Sequence, residues 1–252
     1  MRYWTLLWVS LISAWAIAQS EIRFDSATVA YNQGNYEKAI AHYQAILEEG
    51  KHSAALYYNL GNCYYKRNQI APSIYYYEKA LLLAPNDAEI KNNLVYAQNM
   101  TLDAITPLPE TTLSRFYKQV TGIMPFDGWA YLGIVFVVLF VLAYILFYYF
   151  RYSTQKRIAF ITSLIAIALA VISILIAFVE YQDFKADDPA IIFAQEITVK
   201  TEPNDRSDVA FVLHEGTKVN VMDAFDNWKK IQLSDGQVGW LPDDALRLLK
   251  DF

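Results

Sequence analysis

The chain has 252 residues, is 55% hydrophobic and carries a formal net charge of −5. An apolar excess of that size, concentrated in a few runs, points to embedded segments and excludes a single ordinary soluble globule. Its two polar regions are both acidic, with ten acidic against seven basic residues over 19–112 and eleven against seven over 190–252. That balance excludes the clustered Lys and Arg that nucleic-acid binding needs.

Residues 1–18 read as a signal peptide. Arg2 supplies the positive start, Trp4–Trp15 the apolar run, and Ala16-Ile17-Ala18 the small-residue pattern before cleavage at Gln19. The run is short for a full membrane span.

A 34-residue offset follows: Tyr36 aligns with Ile70, Ala39 with Ser73, and Tyr43 with Tyr77. That period belongs to the tetratricopeptide repeat, a helix-turn-helix unit. The stretch 54–87 resembles the repeat well. Tyr57, Leu60-Gly61, Tyr64, Tyr77, Ala80 and Pro85 fall at its large-aromatic, Leu-Gly, Tyr, aromatic, Ala and Pro positions. Gly61 and Ala80 are small where helices cross closely, and Pro85 stops the second helix. Residues 20–53 form a weaker copy, with Gly34, Tyr36, Ala39 and Tyr43 kept, Ala27 at the first glycine and Lys51 at the proline. Residues 88–103 read as a capping helix, so 19–104 form an α-helical repeat solenoid of about two and a half units, below the usual ~3. Cys63, the single cysteine, excludes an intramolecular disulfide and reads as a small buried helix residue.

In this family the first helices line a concave groove that binds peptides. Carried over by register, the groove comprises Tyr31, Asn32, Tyr58, Asn59, Asn62, Tyr65, Lys66, Asn92, Asn93 and Tyr96. Asn side chains donate to and accept from a peptide backbone, and Tyr adds apolar area with a hydroxyl.

Thr106-Pro107-Leu108-Pro109 breaks the array and opens a linker over 105–128. Within it, Leu113–Val120 carries an apolar helical stripe with Arg115 and Lys118, open to two readings: a helix at the membrane surface or plain linker. Residues 129–150 and 158–179 are two uncharged runs. Each spans about 33 Å as a helix, enough for a ~30 Å hydrocarbon core. The loop 151–157 between them holds Arg151, Lys156 and Arg157 and no acid, whereas Glu180, Asp183, Asp187 and Asp188 follow the second run against one Lys185. The positive-inside rule places the loop in the cytoplasm. The signal peptide independently places the repeats outside, so both folded ends are expected in the periplasm. No ionisable residue lies within either run, which argues against an ion or proton path.

After a linker at 180–190, residues 191–250 change to short alternating runs separated by Glu202-Pro203-Asn204-Asp205, Glu215-Gly216, Asp226-Asn227 and Asp235-Gly236. Five or six short strands predict a small all-β barrel. Leu213-His214-Glu215-Gly216-Thr217, Asn227-Trp228-Lys229-Lys230-Ile231 and Asp235-Gly236-Gln237-Val238-Gly239-Trp240-Leu241 resemble a bacterial SH3 domain. That resemblance implies binding of peptides or of cell-wall peptidoglycan, with Trp228 and Trp240 as ligand contacts.

The whole order, with Asn92-Asn93-Leu94-Val95-Tyr96-Ala97-Gln98-Asn99 and Thr106-Pro107-Leu108-Pro109-Glu110, resembles the BatE proteins of the Bat aerotolerance operon. It implies a scaffold in the inner membrane, anchored in the lipid bilayer and assembled with other envelope membrane proteins, among them von Willebrand factor A-domain Bat proteins. A wall-binding sensor is the alternative. An enzyme is not expected: no metalloprotease helix, nucleophile elbow or phosphate loop occurs, and His42, His52 and His214 have no partner visible in the sequence. No catalytic residue, metal ligand or cofactor is assigned.

Overall fold

The computed structural model describes residues 20–109 and 111–251, so the segment read as a signal peptide lies outside the described residues. The chain divides into two compact units. One comprises the residues up to Pro107 together with those from Asp188 onward, and the other is Leu108–Asp187.

The first unit begins with five helices: α1 (residues 20–32), α2 (Tyr36–Glu48), α3 (Ala54–Lys66), α4 (Ile70–Leu83) and α5 (Ala88–Gln98). The 34-residue period is visible in the backbone. Gly34 and Asn68 both adopt the left-handed conformation at the turn within each pair (φ 77° and 59°). Glycine reaches that region without strain, and asparagine tolerates it better than most residues. Ser53 and Asp87, also one period apart, cap α3 and α5 by accepting backbone N–H bonds. Tyr77 packs its ring on Gly61, where a Cβ would stand 2.6 Å from the ring carbons. Ser73, in place of the usual alanine, is buried and donates its hydroxyl to the Gly61 carbonyl at 3.1 Å.

The chain returns after Asp188 as seven antiparallel strands: β1 (Pro189–Ile192), β2 (Glu196–Lys200), β3 (Val209–His214), β4 (Lys218–Phe225), β5 (Trp228–Gln232), β6 (Val238–Pro242) and β7 (Leu246–Leu248). Their order is β3-β2-β6-β5-β4-β1-β7. This order is open, with β3 and β7 at its two ends, and is not a closed barrel. Two short strands exceed the sequence expectation. Pro189 opens β1, and a 3₁₀ turn at Asp243–Ala245 sets off β7.

The sheet and the helices share a core. Ile191 and Leu249 are fully buried in one cluster with Tyr57, Ile74, Tyr75 and Ile90. The β3–β4 turn brings Gly216 against α4, where a Cβ would lie 2.9 Å from Thr101 and 3.0 Å from Ile70 and Ile74. Two adjacent charges of α4, both buried, take partners across this seam. Glu78 accepts from Lys218 at 2.7 Å, and Lys79 pairs with Asp251, to which Tyr75 also donates at 2.8 Å.

The second unit contains α6 (Thr112–Thr121), α7 (Phe126–Tyr149) and α8 (Ser153–Ala186). Helices α7 and α8 are long and apolar enough to cross a membrane. They pack through Ala159, Ser163, Ala166, Ala170, Ser173 and Ala177, all buried and spaced by three or four residues. Gly133 lies opposite, so close that a Cβ would stand 2.9 Å from Ile174. Small side chains of this kind let apolar helices approach closely. Helix α8 exceeds the expected span at both ends. Neither 153–157 nor 180–186, read as loop and linker, contains Pro or Gly, so nothing stops helix propagation before Asp188-Pro189.

Candidate functional site

Helices α1, α3 and α5 line a concave pocket of about 380 Å³. Tyr58, Asn62, Tyr65 and Lys66 come from α3, Glu89, Asn93 and Tyr96 from α5, Tyr31 from α1 and Tyr77 from α4. The spacings are helical: residues three, four and seven apart share one face. Seven of the ten sequence-predicted groove residues therefore meet there: Tyr31, Tyr58, Asn62, Tyr65, Lys66, Asn93 and Tyr96. Asn32, Asn59 and Asn92 do not line it. Asn59 and Asn92 each sit one residue, about 100° of helix, from a lining neighbour. Asn32 is the last helical residue of α1 and is exposed.

Sequence reasoning missed Tyr77 and Glu89. The repeat pattern assigns Tyr77 to the interior, and its ring is there, but its hydroxyl reaches the pocket and donates to Asn62 Oδ1 at 2.6 Å. Glu89 lies in the first turn of α5, where an acid reads simply as favourable to the helix N-terminus.

A hydrogen-bond chain fixes the pocket floor. Tyr58 donates to Glu89 Oε1 at 2.6 Å. Asn93 Nδ2 donates to Tyr58 Oη at 2.8 Å and to Asn62 Oδ1 at 3.0 Å. Burial and the carboxylate of Glu89 push the Tyr58 hydroxyl above its ordinary pKa. The chain runs through the side-chain amides of Asn62 and Asn93, a residue type that can both donate to and accept from a peptide backbone.

The strand register places the second set of candidates. Trp228 pairs with Pro242, and Trp240 pairs with Lys230 and Lys200. With side chains alternating along each strand, Trp228, Lys230, Trp240 and Pro242 share the face opposite buried Ile231 and Leu241. Both tryptophans are half-buried, Lys230 Nζ lies 5.9 Å from the Trp240 ring, and Phe225 stands exposed opposite Trp228. Gly239 is required by packing: a Cβ there would collide with Val199.

Two of the three histidines have partners that sequence did not reveal. His52 Nδ1 meets the Tyr57 hydroxyl at 2.6 Å. Asp103 binds the backbone N–H of His214 at 2.7 Å, its Nδ1 at 2.7 Å and Thr217 Oγ1 at 2.6 Å. This is not a nucleophile relay. The threonine hydroxyl binds the carboxylate, and His214 Nε2 faces Glu196 at 3.8 Å. Burial pushes the Cys63 thiol up to about 12. Among the described residues, no three His, Cys, Asp or Glu side chains gather as a metal site.

Helix pairs with an open polar face are joined to an antiparallel sheet in one unit, and two candidate membrane spans make up the other. Residues 24–88 match the tetratricopeptide repeat family, and residues 202–246 match the family described as the bacterial dipeptidyl-peptidase Sh3 domain. No curated protein matches the chain. Both matched domain types support a scaffold or binding role.

Proposed function

We propose that the chain is a non-enzymatic scaffold, anchored in the bacterial inner membrane by α7 and α8, whose helical groove holds an extended peptide segment of a partner protein. The observation that carries this reading is the wired pocket floor, in which hydrogen bonds join Glu89, Tyr58, Asn93, Asn62 and Tyr77 and fix the amides of Asn62 and Asn93 in the cleft lining. Tyrosines 31, 65 and 96 add rigid apolar area around that pair. A thiol kept protonated by burial at Cys63 supports the non-catalytic reading. The cationic loop 151–157 supports periplasmic exposure of both folded ends. The resemblance to BatE proteins supplies the finer partner class: membrane proteins with von Willebrand factor A domains in an aerotolerance assembly.

A photocrosslinker at Tyr96 in the full-length protein, used in intact membranes, tests this. Envelope proteins should be captured, and capture should fall in Asn62→Ala and Asn93→Ala. Equal capture by the variants would overturn the groove reading.

One observation favours a second reading. Phe225, Trp228, Trp240 and Pro242, with Lys230 among them, form an aromatic and cationic sheet face suited to sugar or peptide of the cell wall. Co-sedimentation of the full chain in detergent with purified peptidoglycan, lost in Trp228→Ala with Trp240→Ala, would support wall sensing.

A further inference from the structure

Helix α6 has an apolar face that the described elements of its unit leave largely uncovered, with Leu113 and Phe116 well exposed and Val120 partly so. At about 100° per residue, Phe116, Val120, Leu113 and Tyr117 fall within roughly one 100° arc, and Lys118, Arg115 and Gln119 fall on the other side. Leu113 is 77% exposed, Phe116 63%, and Ile123 just beyond the helix 61%. In water such a face would be an isolated liability on a ten-residue helix.

The surroundings of α6 identify what covers it. The helix is fastened to the ends of both candidate spans. Tyr117 donates its hydroxyl to Asp183 near the end of α8 at 2.7 Å. The indole N–H of Trp129, in the first turn of α7, donates to the Thr121 carbonyl at 3.0 Å. Phe126, which opens α7, packs against Tyr181 and Phe184 of α8 at 5.6 Å and 5.5 Å between ring centroids. So α6 sits where α7 begins and α8 ends, at the level of Trp129 and Tyr181, the residue types that occupy a membrane interface. Thr111 caps its first turn by accepting from the Ser114 N–H at 3.2 Å.

We propose that α6 is a lipid-contact element that lies in the headgroup–acyl boundary of the bilayer. Leu113, Phe116 and Val120 insert into the acyl edge, and Arg115 and Lys118 face the phosphates. Apolar burial of about 5–10 Å is ordinary for such helices. A phospholipid surface is favoured over a protein partner because the face adjoins the two helices whose own outer rows are uncovered, among them Leu139, Leu142 and Ile172. The inference rests on reading α7 and α8 as spans.

The test uses the full chain with Cys63→Ala, reconstituted in phosphatidylethanolamine–phosphatidylglycerol vesicles and spin-labelled singly at Leu113→Cys, Phe116→Cys, Arg115→Cys, Gln119→Cys or Leu139→Cys. Each label is relaxed by oxygen, which concentrates in lipid, and by a water-soluble nickel chelate. The oxygen-to-nickel ratio should be several-fold higher at 113 and 116 than at 115 and 119, and highest at 139. Equal nickel access at all four α6 positions, with 139 still oxygen-rich, overturns the α6 proposal alone. Shielding of 113 and 116 from both reagents overturns it in favour of a protein contact. Nickel access at 139 removes the spanning reading and the proposal with it.

Discussion

The two sides of the helical array are used in opposite ways. The face of α4 that carries Ile70, Ile74, Tyr75, Glu78 and Lys79 is closed by the chain's own sheet, with Ile191 and Leu249 in a shared core and both charges paired. The face built from α1, α3 and α5 stays open, and its polar groups bind one another in a chain through Tyr58, Asn62 and Asn93. The sealed side explains how about two and a half repeats stand without a longer stack: the sheet covers apolar surface that a further repeat would otherwise bury. The open side is the one proposed above to hold a peptide. Stability and recognition are therefore expected to separate by face.

Core truncation on the sealed side should have the largest effect. Ile74→Ala, or Ile191→Ala from the sheet, should each lower unfolding free energy by about 2–5 kcal/mol. Unfolding of the detergent-solubilised chain by urea, followed by circular dichroism and by tryptophan fluorescence, should move together in both variants. Separate transitions for helices and sheet would break the comparison. Next comes Gly216→Ala. Its left-handed backbone (φ 87°) and the contacts with Ile70, Ile74 and Thr101 leave no room for a Cβ, so about 1–3 kcal/mol should be lost. Smaller still in stability, but specific to binding, are Asn62→Ala and Asn93→Ala. Each should change stability by about 1 kcal/mol or less, as partly buried hydrogen bonds do. Each should weaken capture of a groove peptide about tenfold, or ~1.4 kcal/mol, in fluorescence anisotropy.

The open side was largely legible in the sequence because helical periodicity is local. Once Tyr57, Gly61, Tyr64 and Tyr77 set the repeat register, the face of Tyr58, Asn62, Tyr65, Asn93 and Tyr96 followed by carrying the repeat family's groove over in that register. Tyr77 escaped because one side chain serves two surroundings, with its ring on Gly61 and its hydroxyl on Asn62. The sealed side was not legible, because Lys218 and Asp251 meet α4 from 140 and 172 residues away and no local pattern encodes such contacts. One signal was available. Helix α4, with the sequence IAPSIYYYEKALLL, is apolar nearly all round, which implies burial on more than one side. Glu78-Lys79 within it then needed partners from outside the repeats. The antiparallel sheet was legible as short alternating runs, but its open order was not, since pairing depends on contacts beyond each hairpin.

The smallest effect expected on the sealed side is its response to acid. Burial alone would raise the Asp103 carboxyl, but hydrogen bonds from Thr217 and from the His214 side chain and backbone outweigh it and hold the group below its ordinary range. Asp251 behaves alike: burial raises it, and the bonds from Lys79 and Tyr75 lower it further than burial raises it. A carboxyl depressed in the folded state contributes stability that is complete above its unfolded value, near ~3.9, and is lost as pH falls through the folded value. The urea midpoint of the chain should therefore be insensitive to these two groups above about pH 5 and should fall below about pH 4. Asp103→Asn should flatten that acid limb more than Asp251→Asn. The Asp103 side chain is 13% exposed and Asp251 46%, so water screens the second pair more strongly. If Asp251→Asn instead proved the more costly of the two at neutral pH, the seam would depend chiefly on the ion pair at buried Lys79, and the Asp103 clamp on the β3–β4 turn would be secondary.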